Sequence, residues 1–244
     1  MRDSKANIFP LGHSSFLVET KNNILIFDYY EDSLNLEKIN VEDSILSNSI
    51  FKTDKSIFVF VSHSHSDHYT PDIFDWKKEN PNIEYILSSD LREIIDKFDF
   101  HYVNPYESLK IKDIAIKAYG STDKGVSFLV DVDEVTLFHA GDLNWWHWKK
   151  FSEEKRKIEE EDYKREVSKI IGEDIDIAFI PVDPRLDEFY YLGGEYFINT
   201  IKPKLLVPMH FRDNFYICDE FINKVSDKST KIANINQLGQ EISF

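Results

Sequence analysis

The stretch Ser62-His63-Ser64-His65-Ser66-Asp67-His68 constrains this chain more than any other, because it follows directly on the apolar run Ser56-Ile57-Phe58-Val59-Phe60-Val61. Three of the eight histidines and one carboxylate fall within six residues at the end of a segment that reads as a buried strand. An extended backbone alternates its side chains, so His63 and His65 point to one side. A turn at Ser66 then carries Asp67 and His68 to a second position nearby. Side chains gathered in this way read as metal ligands. Imidazole and carboxylate suit Zn first, with Mn and Fe as further possibilities, whereas Ca or Mg would call for mostly oxygen donors. A plain polar turn would use Gly, Asn or Pro rather than crowd histidines that repel one another when protonated.

The flanking sequence supplies a frame for this loop. Ile8-Phe9-Pro10-Leu11, Ser15-Phe16-Leu17-Val18-Glu19-Thr20 and Asn23-Ile24-Leu25-Ile26-Phe27-Asp28 read as strands, the last two an antiparallel pair across Lys21-Asn22. Residues 29–54 read as loop with a short helix. Thr70-Pro71 marks a helix running to Glu79, and Ile83 to Leu87 is a further strand. Asp90 with Glu93 resembles a capping box for a helix whose apolar face is Leu91, Ile94, Ile95 and Phe98. From Ser108 short strands return: 111–119, then 126–132 and 135–140 as a hairpin. Residues 149–172 form an amphipathic helix, and a strand at 175–182, a helix at 194–201 and a strand at 205–209 close the pattern. Strands alternating with helices in this way predict a layered α/β architecture.

Three more places carry candidate chemistry. The strand Val135 to Ala140 runs into Gly141-Asp142, where glycine allows a sharp turn that projects a carboxylate beyond the sheet edge. Leu206-Val207-Pro208-Met209 ends at His210 in the same manner, and strand ends are where ligands collect in layered α/β folds. The cluster Asn144-Trp145-Trp146-His147-Trp148 makes His147 a candidate pocket residue beside an aromatic wall. At another strand end, Arg185 in Pro181-Val182-Asp183-Pro184-Arg185 is a candidate clamp for a carboxylate or phosphate, or an ion-pair partner of Asp183 or Asp187.

Composition narrows the partners. With 44 acidic and 29 basic residues the formal charge is −15, which repels nucleic acid and anionic membrane surfaces, and no local basic patch reverses it. The single cysteine, Cys218, has no intramolecular disulfide partner, and neither a secretory leader nor an apolar run of membrane-spanning length is evident. These features predict a cytoplasmic protein acting on a small molecule. They leave its oligomeric state open.

The pattern His-X-His-X-Asp-His, a downstream Gly-Asp and a late strand-end His resembles the metallo-β-lactamase superfamily of metal-dependent hydrolases. Leu11-Gly12-His13-Ser14-Ser15-Phe16 with Ile26-Phe27-Asp28 is similar to its lactonase-like cytoplasmic branch. The likeness runs from about residue 8 to 211 and implies one domain over residues 1–244, a four-layer αββα sandwich with the site at one edge. It further implies that His63 and His65 bind one metal, that Asp67, His68 and His210 bind another, and that Asp142 bridges them. Asp67 would also orient the attacking water. The superfamily normally adds a further histidine to the first metal, and the matching place, Ala118 to Thr122, holds Tyr119, which would turn its phenol to the substrate oxyanion instead. One or two zinc ions, or Mn or Fe, would then activate water against an ester, lactone or phosphoester. A nuclease of the superfamily and a non-catalytic metal- or ligand-binding protein of this fold are the competing readings.

Overall fold

A computed structural model describes residues 4–30, 50–95, 100–225 and 229–244. Its strands and helices, in chain order, are β1 (Ala6–Gly12), β2 (Ser15–Thr20), β3 (Asn23–Phe27), β4 (Ser56–Val61), β5 (Glu84–Ser88), β6 (His101–Val103), β7 (Ser108–Ile111), β8 (Ile114–Tyr119), β9 (Ser127–Val132), β10 (Val135–His139), α1 (Glu153–Ser168), β11 (Ile177–Pro181), α2 (Leu192–Ile201), β12 (Leu205–Met209), α3 (Tyr216–Lys224), β13 (Lys231–Ile232) and β14 (Ile242–Ser243). The strands form two seven-stranded sheets, ordered β14-β1-β2-β3-β4-β5-β6 and β13-β12-β11-β10-β9-β8-β7.

Each sheet is half antiparallel and half parallel. In the first, β1 to β3 form a meander and β3 to β6 run parallel. In the second, β7 to β10 form the meander and β10 to β13 run parallel. Residue choice follows pairing. Parallel strands covered on both faces need continuous apolar sequence, and β3, β11 and β12 are buried at every position. The inner faces meet through aromatic rings: Phe16 lies 4.7 Å from Phe179, Phe27 6.0 Å from Phe179, and Phe60 5.3 Å from Phe128. Phe16, Phe27 and Phe60 belong to the first sheet, Phe128 and Phe179 to the second.

Outside the second sheet, α1, α2 and α3 bury Tyr163, Val167, Phe197 and Phe221. Outside the first sheet, Phe51, Ile73 and Leu91 pack on Val59, Val61 and Leu87 from short 3-10 segments. The four layers expected from the sequence are present, and the cover of the first sheet is built differently from the helices expected there. Residues Pro71–Lys78 are 3-10, and Thr70 makes no side-chain cap. The helix expected from Asp90 is only the turn Ser89–Leu91, and Phe98 lies outside the described residues. Of 29–54, residues 31–49 also lie outside them. The strand expected at 111–119 is a hairpin of β7 and β8, turned at Lys112, whose φ is 52°. The amphipathic helix begins at Glu153, where the Ser152 side chain caps it by accepting from the Lys155 N–H. β6, α3, β13 and β14 were not anticipated.

Candidate metal centre

The carboxyl ends of the parallel strands of both sheets open onto one seam, and the polar residues of the site stand there. β3 ends at Asp28, β4 at Ser62 and the histidine loop, β10 at Gly141-Asp142, β11 at Asp183 and β12 at His210. Two carboxylates from neighbouring strands hold the loop in shape. Asp28 accepts from the Ser62 N–H at 2.7 Å and the Ser62 hydroxyl at 2.6 Å, and pairs with His68 Nδ1 at 2.7 Å. Asp90 accepts from the Ser64 N–H at 3.0 Å, so the expected helix cap serves the loop instead. The His68 N–H closes the turn on the His65 carbonyl at 3.0 Å.

Asp142 sits at the centre, and its two oxygens face different histidines. Oδ2 lies 3.4 Å from His63 Nε2 and 4.0 Å from His65 Nδ1. Oδ1 lies 3.1 Å from His68 Nε2 and 3.2 Å from His210 Nε2. Behind His210, the Asp183 carboxylate pairs with Nδ1 at 3.0 Å, as Asp28 does behind His68. A carboxylate on the far nitrogen fixes the tautomer and aims the near nitrogen at a ligand.

His13, in the tight turn between β1 and β2, completes the group. Its ring centroid is 4.0 Å from that of His210, its Nε2 is 3.5 Å from Asp67 Oδ2, and its carbonyl accepts from the His210 N–H at 2.8 Å. His13, His68 and His210 offer three nitrogens within 4.8 Å of one another. His13, Asp28 and His210 all have positive φ, at 38°, 45° and 68°, a strained conformation for residues other than glycine that collects at functional sites.

These residues fit a bound cation. His63 Nε2, His68 Nε2, Asp142 Oδ1 and both His13 ring nitrogens are buried and make no hydrogen bond. So many buried polar atoms without hydrogen-bond partners facing one space are costly unless a bound group satisfies them. Charge coupling across the site is strong. Burial opposes a charge on His68, but Asp28 and Asp142 outweigh it and lift its pKa to about 10. Burial, then His210, drives His13 down to about 3. Contact with His13 holds Asp67 below the usual carboxylate range, while His68 and the other imidazoles hold Asp142 well below it against the effect of burial. Burial raises Asp183, but hydrogen bonds from His210 and Arg185 overcome this and leave it at about 2. A cation entering this site would take the place of the His68 proton.

Beside the site is a cleft of about 320 Å³. Trp146 and Trp148, stacked at 5.9 Å, form one wall with Phe151. Trp145 instead packs on Tyr163 in the core.

Of the residues singled out in the sequence, His63, His65, Asp67, His68, Asp142 and His210 come together. Arg185 reaches the cleft, and its Nε and Nη2 are engaged there by Asp183 at 3.0 and 2.6 Å. Tyr119 is not in the cleft. Side chains of β8 alternate, with Ile114, Ile116 and Ala118 inward, which sends Tyr119 outward, where its hydroxyl donates to Glu173 at 2.6 Å. His147 also turns away and packs on Phe189 at 4.4 Å. Sequence reasoning missed His13 as a possible ligand and Asp28 and Asp183 as supports. The signal for all three was a polar residue at the end of an apolar strand or in the turn following one.

Two sheets face to face, with a histidine–aspartate cluster that could hold a metal at the carboxyl ends of their strands, define an αββα sandwich. A family model described as "Beta-lactamase superfamily domain" matches residues 7–210, and the chain belongs to this superfamily, the metallo-β-lactamase fold of metal-dependent hydrolases. It is 26% identical over 223 residues to the metal-dependent hydrolase YtkL of Bacillus subtilis, covering 82% of this chain and 83% of that one. Among solved structures it resembles Igni18, a metallo hydrolase of the archaeon Ignicoccus hospitalis, with 14% identity, a TM-score of 0.65 and 98% of each chain covered. It also resembles CmlA, a diiron β-hydroxylase of Streptomyces venezuelae, with 12% identity and a TM-score of 0.63 over 99% of this chain and 54% of that one. At such identities the two structures bear on the fold alone. No helix among the described residues is long and apolar enough to cross a membrane.

Proposed function

We propose that this chain hydrolyses a small-molecule ester, lactone or phosphoester with water activated at the histidine–aspartate centre. The observation that carries the reading is the division of Asp142, one oxygen toward His63 and His65 and the other toward His68 and His210. One cation would be held by His63, His65 and Asp142 Oδ2, a second by His68, His210, Asp142 Oδ1 and Asp67, with His13 adjoining. Zinc suits the imidazole-rich donors best, and manganese and iron follow. A bound divalent cation lowers the pKa of water and polarises the oxygen under attack.

The chain's own groups do the rest. Asp67 is partly exposed and contacts His13 on one side and Arg212, at 3.4 Å, on the other, which keeps its carboxylate ionised, so it can accept a hydrogen bond from the attacking water and orient it. Arg185 locks Asp183 behind His210 and so keeps His210 Nε2 aimed inward. Trp146, Trp148 and Phe151 exclude water from one side and receive the apolar part of a substrate.

The test is turnover of a panel of aryl esters, lactones and nitrophenyl phosphates by protein stripped with chelator and reloaded with zinc, manganese or iron. Activity should disappear on stripping and return on loading, and Asp67→Asn should cut kcat about 100-fold or more. Tyr119→Phe should leave kcat and KM unchanged. Full turnover without metal would sink the proposal, and tight metal binding with no turnover of any panel member would favour a binding protein.

A further inference from the structure

The loop between β8 and β9 delivers a carboxylate to the less complete side of the centre. His63, His65 and Asp142 Oδ2 supply three donors there, one short of the four that a closed tetrahedral site would use. Asp123 Oδ2 stands 3.9 Å from His65 Nδ1, and ligand atoms of His65, Asp123 and Asp142 lie within 4.8 Å of one another. The buried His63 Nε2, which has no hydrogen-bond partner, lies 3.4 Å from Asp142 Oδ2 and faces the same space.

Asp123 does not arrive there on a loose loop. Three residues on, the Val126 N–H donates to the Ser62 carbonyl at 3.0 Å. Gly125, at φ 73°, lies so close that a Cβ would come 2.0 Å from that carbonyl oxygen and 2.5 Å from His63 Cβ. Lys124 Nζ reaches Ser64 Oγ and, at 3.4 Å, Asp90. On the other side Thr122 Oγ1 donates to the Asn144 carbonyl at 2.6 Å and accepts from the Asn144 N–H at 3.0 Å. The loop is thus fastened to the histidine strand and to the Asp142 turn at once. The only side chain of residues 122–124 left to face the cleft without such a fastening, among the described residues, is that of Asp123.

The geometry points to Asp123 as the fourth ligand of the first metal position. This assignment rests on the metal-centre reading above, and it makes the two positions unlike. The first would have two imidazoles and two carboxylates. The second has up to three imidazoles and is richer in nitrogen. Carboxylate donors suit manganese and imidazole suits zinc, so the first position should be the weaker for zinc and the more tolerant of manganese.

Calorimetric titration of stripped protein with Mn²⁺ and with Zn²⁺, paired with elemental analysis after desalting, tests this without reference to activity. Wild type should take up two equivalents in two unequal steps. Asp123→Ala, at an exposed position where circular dichroism should report an unchanged fold, should lose the weaker step and keep the tighter one. Asp123→His should recover two equivalents and raise the Zn²⁺ to Mn²⁺ affinity ratio of the weaker step at least tenfold. If Asp123→Ala retains both steps within twofold of wild-type affinity, Asp123 is not a ligand, although the centre stands. If wild type takes up no metal, the centre and the assignment fall together. A single equivalent in wild type overturns the assignment alone.

Discussion

His68 and His13 are neighbours in one buried cluster and are driven in opposite directions. The pKa of His68 is raised from 6.5 to about 10, because Asp28 and Asp142 outweigh its burial. The pKa of His13 falls from 6.5 to about 3 through burial and the nearby His210. Each shift is also a statement about stability in the metal-free protein. A raised pKa contributes stability in full below 6.5, and that stability drains away as pH climbs toward 10. For His13 the unfolded chain takes up a proton below 6.5 that the folded chain refuses, so stability drains as pH falls toward 3. The depressed carboxylates Asp67, Asp142 and Asp183 matter only below their ordinary pKa of 3.8. The metal-free protein should therefore be most stable near pH 6.5, and its Tm in chelator should decline on both sides. With metal bound the alkaline decline should be lost, since the cation then takes the place of the His68 proton, which is released to solvent. A Tm in chelator that rises steadily from pH 6 to 9 would contradict this account. At this scale the sequence was a good guide to which polar side chains gather where they are adjacent in the chain, as in residues 63–68. It failed for Tyr119, whose position was matched by order alone, when strand alternation decides which side a residue faces.

The turns that follow the strands matter more than the strands themselves. Gly125 and Gly141 both have positive φ, and a Cβ on either would collide with Ser62. Gly125→Ala should cost about 2–4 kcal/mol, from the strained φ and the displaced Ser62 carbonyl, and should weaken metal uptake along with the fold. Ser152→Ala is the control: it removes the cap of α1 without altering any metal-facing side chain, and should cost about 1 kcal/mol with metal stoichiometry unchanged. Urea melts with and without zinc separate the two effects, and equal losses of metal uptake in both variants would refute the distinction. Buried strands announced themselves through continuous apolar runs, and β3, β4, β11 and β12 were legible for that reason. The cover of the first sheet was not. Asp90 and Glu93 carry the signature of a helix start, yet Asp90 is drawn to the Ser64 N–H, a tertiary contact that no local pattern reveals. The short edge strands β13 and β14, of two residues each, carry too little pattern to be read.

Across the whole molecule, the two sheets repeat one plan, a meander followed by parallel strands, and each turns its carboxyl ends to the shared seam. The first half of the chain contributes His13, Asp28 and residues 63–68, and the second contributes Asp142, Asp183 and His210. A cation that binds the folded protein alone stabilises it by RT ln(1 + [L]/Kd), about 2.7 kcal/mol at a hundredfold excess over Kd. Chelator should therefore lower Tm by several degrees, and an unchanged Tm would mean that nothing is held across the seam. The architecture also lends itself to dissection. Cut in the connection between β6 and β7, the polypeptide gives two pieces, each carrying half of the candidate metal-binding residues and one face of the aromatic seam. Their reassociation should tighten with divalent cation and loosen with chelator, which would turn the enzyme's fold into a two-part reporter of free metal.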